Sequence, residues 1–226
     1  MDTFIVGGET AGIATACALS KTNFFTPSKD GKKRIILLNE RQIPKLETYT
    51  NSSVQKKPDD KVATISFSTL QLLHSLGALE KMNHMLITPY RKMFVNDSFG
   101  KSHLVFDDEI IDSSLISQTQ QEIFDKYVSN HSYQFVGKNS LGASVEYDHI
   151  QSALYEVLKE QNKCEIIDND SIRYIRPAKS LEDMSTIELE SGRRFTTKLI
   201  IGNDGENSYT REVHNIEATS HAYNQK

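Results

Sequence analysis

Residues 3–21, TFIVGGETAGIATACALSK, contain the turn that decides the fold. The apolar residues before the glycines predict a β-strand, and the small residues of Thr10–Lys21 predict a helix that packs closely against a sheet. Between them, GGETAG over residues 7–12 has the spacing of a dinucleotide-binding turn, G-x-G-x-x-G. In that pattern the middle glycine lets the backbone approach the pyrophosphate. Glu9 stands in its place.

A carboxylate at Glu9 opposes the binding of a nucleotide phosphate. Two unit charges about 4 Å apart near a protein surface interact by roughly 4 kcal/mol. Because each 1.4 kcal/mol is about tenfold in affinity, this repulsion could weaken binding by about a thousandfold. Thr10 does not repair the loss. The turn therefore predicts a weakened dinucleotide site, and a strand–turn–helix that binds nothing is the alternative.

The composition sets broad limits on function. A chain of 226 residues is long enough for one large or two small domains. The net charge of −4 gives no general attraction to nucleic acid. No apolar run approaches the ~20 residues of a membrane span, and neither a signal peptide nor a transit peptide is visible before the first strand. Cys17 and Cys164 are expected to be buried thiols, and no histidine pattern predicts a metal site.

The element pattern predicts an α/β fold, in which a parallel sheet with crossover helices is joined by part of a second, β-rich layer. Thr50–Lys61 is predicted to be an exposed polar loop, and Asp107–Gly142 has no clear pattern. Strands are predicted at Met1–Gly7, Arg34–Leu38, Arg91–Asn96, His103–Phe106, Cys164–Ile167, Ser171–Ile175, Ser185–Leu189 and Phe195–Ile201. Helices are predicted at Thr10–Lys21, Ser66–Leu79, Tyr147–Gln161 and Asn207–Val213.

A second motif follows the last predicted strand. KLIIGNDGENS, residues 198–208, ends a strand in Gly-x-Asp-Gly, and Arg211 comes shortly after it. This motif resembles the segment of class A flavin monooxygenases that serves both the flavin and the reduced nicotinamide cofactor. If the resemblance holds, the turn at residues 7–12 and the turn at 202–205 should converge in space as two sides of one cleft.

Further stretches are similar to the flavin-dependent monooxygenases of mitochondrial ubiquinone biosynthesis, over nearly the whole chain but only the amino-terminal half of such an enzyme. The resemblance implies a Rossmann-like FAD/NAD(P)-binding domain, a polyprenylated phenolic quinone precursor as substrate, and ring hydroxylation. It also implies the matrix side of the mitochondrial inner membrane, peripheral membrane association and partners in a quinone-synthesis complex. The matching stretches are LETYTN from Leu46, VATIS from Val62, LGA from Leu76, Phe106-Asp107, FTTKL from Phe195 and YNQ from Tyr223.

The resemblance also assigns roles to single residues. Gly7, Gly8 and Gly12 would cradle the pyrophosphate of FAD. Asp204 and Gly205 would lie at the ribose and diphosphate, and Arg211 would support their turn. In this family an acid at the end of the second strand binds the adenosine ribose; that place is occupied here by Asn39, with Glu40 next. Lys61 stands where the family has an arginine near the flavin. No catalytic residue is assigned.

The resemblance divides the chain by function. Dinucleotide-binding segments are expected at residues 1–80 and 190–226, and a substrate-layer segment at about 81–189. The chain stops at Lys226, before a later Gly-Asp segment of the family, so the isoalloxazine should have few walls. Whether the protein is an enzyme stays open. The alternatives are a monooxygenase with impaired or absent activity, a non-catalytic binding or assembly module, an enzyme completed by another chain, and an unstable product without a role.

Overall fold

The computed structural model describes residues 1–25, 31–43, 45–50, 61–96, 100, 102–107, 118, 122 and 141–221. The chain divides into two compact units. The first unit contains residues 1–42 and 158–226, and the second contains residues 43–157. The division into dinucleotide-binding and substrate-layer segments concerns function and stays a prediction.

A four-stranded parallel sheet forms the centre of the first unit, in the order β12-β1-β2-β8. Strands β1 and β2 are fully buried, as expected for parallel strands covered on both faces. The strands that make this sheet are β1 (Thr3–Val6), β2 (Ile35–Asn39), β8 (Cys164–Asp168) and β12 (Leu199–Gly202).

Helix α1 (Thr10–Lys21) connects β1 to the parallel strand β2, and its bounds are those predicted. It buries Gly12, Ile13, Ala16 and Cys17, which recur at helical spacing. The thiols of Cys17 and Cys164 are buried and free, and burial raises the pKa of both to about 12. These cysteines are therefore packing residues, as the sequence predicted.

The first unit also contains an antiparallel sheet in the order β11-β10-β9. Its strands are β9 (Ile172–Arg176), β10 (Ser185–Leu189) and β11 (Arg194–Thr197). Alternate side chains of these strands, including Ile175 and Ile187, share one buried apolar cluster with Phe4 and Ile36 of the parallel sheet. The remaining members of the cluster are Val6, Leu38, Ile167 and Leu189.

The prediction of one strand over Phe195–Ile201 is wrong, because the chain changes sheets at Lys198. Up to Thr197 it pairs antiparallel with β10, and from Leu199 onward it pairs parallel with β1. The buried Thr197 hydroxyl donates to the carbonyl of Asp2 at 3.1 Å, which ties this crossing to the amino terminus. The sequence of this segment does not show which strand each half pairs with.

The second unit contains a sheet in the order β3-β7-β4 and a separate pair, β5-β6. In its interior His149 stacks on Tyr49 with 4.7 Å between ring centroids, and its Nε2 accepts the Asn83 amide at 3.1 Å. The strands are β3 (Val62–Ser66), β4 (Thr88–Tyr90), β5 (Lys92–Asn96), β6 (His103–Asp107) and β7 (Gly142–Glu146). The helices are α2 (Glu47–Thr50), α3 (Phe67–Leu76) and α4 (Tyr147–Gln161), which continues into the first unit.

Two differences from the predictions concern the second unit. Helix α3 begins after its Ser66 cap but ends at Leu76, because Gly77 adopts φ +85° and closes the helix. Strands β3, β4 and β7 were not predicted. Most of the predicted loop at Thr50–Lys61 and of Asp107–Gly142 lies outside the described residues.

One further helix closes the first unit, α5 (Tyr209–Val213), where Asn207–Val213 was predicted. Across the residues that the structure describes, no helix is both long and apolar enough to cross a membrane.

Substituting Gly12 with Ala should destabilise the protein by about 1–3 kcal/mol, since a Cβ there would overlap the carbonyl oxygen of Gly7. Helix propensity alone would predict a gain of about 1 kcal/mol for the same change. Urea denaturation measures the sign. As a control, Ala18→Gly on the exposed face of α1 should lose about 1 kcal/mol. A Gly12→Ala protein more stable than the wild type would contradict the packing.

Candidate dinucleotide-binding site

The turns after β1 and β12 lie side by side. The two strands are parallel neighbours, with Val6 opposite Gly202 at their carboxyl ends. The amide of Asn203 donates to the carbonyl of Val6 at 2.7 Å. This confirms that the two sequence motifs converge. In open parallel sheets, ligands bind at this edge, outside the carboxyl ends of the strands.

Gly7 and Gly12 have the positions that the motif requires. Gly7 has φ +98°, and a Cβ on it would overlap the Asn203 carbonyl oxygen. A Cβ on Gly12 would overlap the carbonyl oxygen of Gly7 itself. The first glycine therefore allows the tight turn next to the second motif, and the third allows α1 to pack against the end of β1.

Glu9 occupies the N-cap position of α1. Its φ of −77° and ψ of −177° are extended backbone that any residue adopts, so the turn itself does not need glycine there. The side chain is exposed and makes no capping hydrogen bond to the helix, whose first turn contains no acidic residue. Glu9 thus adds a carboxylate beside the first-turn amides, the groups that bind anions at helix N-termini.

Asn39 ends β2 and is buried against Gly8. A Cβ on Gly8 would lie 2.6 Å from the side-chain Cγ of Asn39, so only glycine fits beside this residue. The Asn39 Nδ2 donates to the carbonyl of Arg41 and holds the turn after the strand. Glu40 is exposed at the same turn. Asn39 therefore shapes the edge of the site by holding its own turn, through the hydrogen bond from its side chain to the Arg41 carbonyl.

Asp204 organises the turn that leads into α5. Its Oδ1 accepts the Ser208 hydroxyl at 2.6 Å, and its Oδ2 accepts the amide of Thr210 at 2.8 Å. Burial by itself raises the pKa of Asp204, but the hydrogen bonds from Ser208 and Thr210 outweigh it and hold that pKa below its usual value. The carboxylate is therefore ionised at neutral pH and fixed in place.

Arg211 and Gly205 belong to the same turn. Arg211 donates from Nη2 to the carbonyl of Glu206 at 2.6 Å, and its amide donates to the capping hydroxyl of Ser208 at 3.0 Å. Gly205 has φ +81°, and nothing lies within 4 Å of where its Cβ would be. The arginine thus holds the turn together, while the glycine gives it the backbone conformation that other residues rarely adopt.

Eight of the nine predicted site residues lie in the first unit, on or beside the turns after β1, β2 and β12. They are Gly7, Gly8, Gly12, Asn39, Glu40, Asp204, Gly205 and Arg211. The ninth, Lys61, lies in the second unit, where its carbonyl accepts the amide of Tyr147 at 3.0 Å. The binding role of all nine stays a prediction.

Two polar side chains within the motifs, Thr10 and Asn203, have no predicted role. The Thr10 Oγ1 and Asn203 Nδ2 atoms are buried and have no hydrogen-bond partner among the described residues. Buried atoms without a partner also occur elsewhere in the described residues, among them Ser20 Oγ and Gln161 Oε1. The two atoms therefore do not by themselves indicate a ligand.

Two features of the site suit a dinucleotide. The glycines let the two turns and the start of α1 pack together at the sheet edge, and the first turn of α1 contains no acidic residue. The charge of Glu9 opposes such a ligand, and Asn39 replaces the acid expected at the end of β2. Within the described ranges, no group of three or more His, Cys, Asp or Glu side chains could hold a metal ion.

The fold is that of FAD-dependent monooxygenases. PqsL of Pseudomonas aeruginosa, described as a probable FAD-dependent monooxygenase, is similar with a TM-score of 0.60 at 12% identity, over 99% of this chain and 48% of that one. The flavin-dependent monooxygenase PieE, solved in complex with FAD and substrate, gives a TM-score of 0.51 at 14% identity, over 95% and 32% of the two chains. At such identities the likeness shows the fold alone.

Among curated proteins, the chain is similar to the ubiquinone biosynthesis monooxygenase COQ6, mitochondrial. The protein from Caenorhabditis elegans is 27% identical over 224 residues, which are 99% of this chain and 42% of that protein. The human protein is 29% identical over 234 aligned positions, which are 99% and 41% of the two chains. This chain therefore spans about two-fifths of these relatives' length. No family model matches it. The family resemblance predicted from the motifs is confirmed.

Substituting Asp204 with Asn should destabilise the protein near pH 7 and much less near pH 3. The folded-state pKa is lowered, so the carboxylate stabilises the fold above the unfolded value of about 3.9, and this contribution is lost as pH falls through the lower folded value. We expect a loss of about 1 kcal/mol near neutral pH, because the group is only partly buried and solvent screens it.

Urea denaturation at both pH values measures this effect, with Glu206→Gln as the control. Glu206 is an exposed carboxylate in the same turn, so its substitution should change stability little at either pH. Equal losses for Asp204→Asn near pH 7 and near pH 3 would contradict the hydrogen-bonded carboxylate described above.

Proposed function

We propose that this chain binds FAD as the cofactor-binding part of an aromatic-ring monooxygenase of ubiquinone biosynthesis, and that Glu9 weakens that binding. The observation that carries the proposal is the contact between the two turns, in which Gly7 packs against Asn203 at the carboxyl edge of the parallel sheet. The similarity to COQ6 proteins over 99% of the chain supports the choice of pathway.

In this proposal the turn at residues 7–12 contacts the pyrophosphate of FAD, and the turn at residues 202–205 contacts the ribose and the same diphosphate. Gly7, Gly8 and Gly12 let the turns and the start of α1 pack together at this edge, and the α1 amides face the negative charge. Asp204 and Arg211 keep the second turn in position, and Gly205 leaves it open. The flavin, when bound, supplies the redox chemistry that activates oxygen for ring hydroxylation.

Glu9 sets the affinity of the site. Its carboxylate is exposed at the N-cap of α1, the place from which helix amides bind phosphate, so a bound pyrophosphate would meet like charge. The backbone conformation at Glu9 is ordinary, so the residue is not there to satisfy the turn. We infer that the protein binds FAD weakly and that its monooxygenase activity is impaired.

The proposal extends to the substrate and the location. The substrate is a polyprenylated phenolic quinone precursor, and the protein acts at the matrix side of the mitochondrial inner membrane, with peripheral membrane association. Its partners are other proteins of quinone synthesis. The support is the similarity to proteins described as mitochondrial and as acting in ubiquinone biosynthesis.

A second candidate function is a non-catalytic relative that serves as a binding or assembly module in the quinone-synthesis complex. The Glu9 carboxylate favours this candidate, because a negative charge beside the phosphates of a cofactor is tolerated only where tight cofactor binding is not needed. A folded, colourless protein that does not become yellow with excess FAD would favour this candidate, and a stoichiometric yellow complex would favour the first.

Replacing Glu9 with Gln should increase FAD affinity by up to about a thousandfold because it removes the charge, and Glu9→Gly should gain at least as much because it also removes the bulk. Quenching of FAD fluorescence on titration with protein measures both dissociation constants. High salt should weaken FAD binding less in the wild type than in the Glu9→Gly protein, because salt screens the repulsion between Glu9 and the pyrophosphate.

Glu190→Gln provides the control, since Glu190 is an exposed carboxylate elsewhere in the first unit and should not change affinity measurably. Folded Glu9→Gly protein with the wild-type affinity would show that the carboxylate does not face the ligand, and the assignment of the turn would then be wrong.

A further inference from the structure

The ribbon formed by β5 and β6 exposes apolar side chains on both of its faces. Six neighbouring residues of this ribbon are large, apolar and between 37% and 62% exposed. Within the described part of the chain the two strands pair only with each other, so no strand lies beside either outer edge. A contiguous exposed apolar patch marks a contact surface. The six residues are Met93, Phe94, Val95, Leu104, Val105 and Phe106.

The pairing of the two strands sorts these side chains between the faces of the ribbon. Residues directly opposite each other in an antiparallel pair point to the same face, and successive residues point to opposite faces. One face is therefore apolar throughout, and the other is apolar at its centre, where Phe94 lies opposite Val105. The pairs on the first face are Met93–Phe106 and Val95–Leu104, and the polar pairs at the ends of the second face are Lys92–Asp107 and Asn96–His103.

An additional strand would stabilise the ribbon. Two paired strands by themselves are at best marginally stable in water, whereas three or more strands with an apolar face form stable sheets. The backbone groups along an edge are a template on which another strand pairs. A lipid surface suits the ribbon less well, because elements that lie on membranes bury one apolar face and keep the other polar. The ribbon is apolar at the centre of both faces.

The outer edge of β6 is complementary to itself. When two copies of β6 are paired antiparallel about Val105, Leu104 lies opposite Phe106 of the second copy, and His103 lies opposite Asp107 of the second copy. Two-fold symmetry makes each of these contacts twice. Apolar pairs and pairs of opposite charge in directly opposed positions stabilise a sheet, and a histidine next to a carboxylate donates a hydrogen bond to it.

The outer edge of β5 lacks this complementarity. Two copies of β5 paired about Phe94 would place Lys92 opposite Asn96, which brings no opposite charges together. Lys92 also forms an ion pair with Asp107 inside the ribbon, at 2.7 Å. The charges therefore favour β6 as the edge that forms the contact.

We propose that this chain forms a symmetric dimer through β6, in which the strands of two copies pair antiparallel about Val105 and join the two ribbons into one four-stranded sheet. The contact lies in the second unit and needs no ligand, so it is independent of the proposed FAD function. Because β6 contributes only five residues from each copy, the contact is small, and the dimer should be weak and increase with protein concentration.

Disulfide trapping tests the register of the two strands. Opposite residues in antiparallel strands have Cα atoms about 4.5–5.5 Å apart, within the range of a disulfide. Val105→Cys protein should therefore form a disulfide-linked dimer on mild oxidation with copper phenanthroline, and Phe94→Cys protein should do so at least about tenfold more slowly. Phe94 is the matched control, because it lies on the same face and is more exposed. The native thiols of Cys17 and Cys164 are buried and do not compete.

Analytical ultracentrifugation over a range of protein concentrations measures the dimer itself. Val105→Lys and Val105→Glu should each weaken it at least about tenfold, because they place like charges opposite each other on the two-fold axis. An equimolar mixture of the two variants should regain the dimer, since opposite charges then meet. Phe94→Lys should weaken the dimer less than Val105→Lys does, although it removes a more exposed apolar residue. Circular dichroism checks that the variants are folded.

Three results would overturn the inference. The first is a wild-type protein that stays monomeric at the highest concentration reached. The second is a dimer that Phe94→Lys weakens as much as Val105→Lys, which would indicate general apolar adhesion. The third is growth to larger oligomers, because the symmetric contact closes at two copies. Monomeric protein that binds phosphatidylcholine vesicles through the ribbon would assign this surface to a membrane instead.

FAD titration of the same proteins keeps this inference separate from the proposed function. The FAD affinity of Val105→Lys should equal that of the wild type, since the proposed FAD contacts in the first unit do not include Val105. A protein that dimerises through β6 but does not bind FAD contradicts the proposed function and supports the dimer. A monomeric protein that binds FAD overturns the dimer alone.

Discussion

The contact between Gly7 and Asn203 is the constraint on which the site depends. The two residues follow neighbouring parallel strands, and their turns pack so closely that a side chain on Gly7 would overlap the Asn203 carbonyl. Gly12 then packs against Gly7, which fixes the start of α1 at the same edge. Segments almost two hundred residues apart in sequence are thereby joined into one surface, and the proposed dinucleotide site needs both of them.

Much of this surface could be predicted from the sequence, because its signals are local. The glycine spacing predicted the first turn, and α1 and α4 have the bounds that their patterns indicated. The convergence of the two turns followed from the family resemblance and is confirmed. The change of sheet at Lys198 was not predicted, because the residues of β11 and β12 do not show that one pairs with β10 and the other with β1.

The rest of the fold was missed for physical reasons that differ by element. Strand β7 begins with Gly142, and β4 contains Pro89, so both lack the β-branched runs that mark strands. Helix α3 stops three residues early because a left-handed Gly77 ends it, whereas the apolar spacing continues to Leu79.

If both turns bind one ligand, hydrogen–deuterium exchange with and without excess FAD should detect that ligand at each of them. Because amide protection reports hydrogen bonding segment by segment, it examines the two turns independently. Residues 7–13 and residues 203–208 should become protected together, at the same FAD concentration, in a protein that is otherwise unchanged. Protection of only one segment, or of neither under saturating FAD, would contradict it.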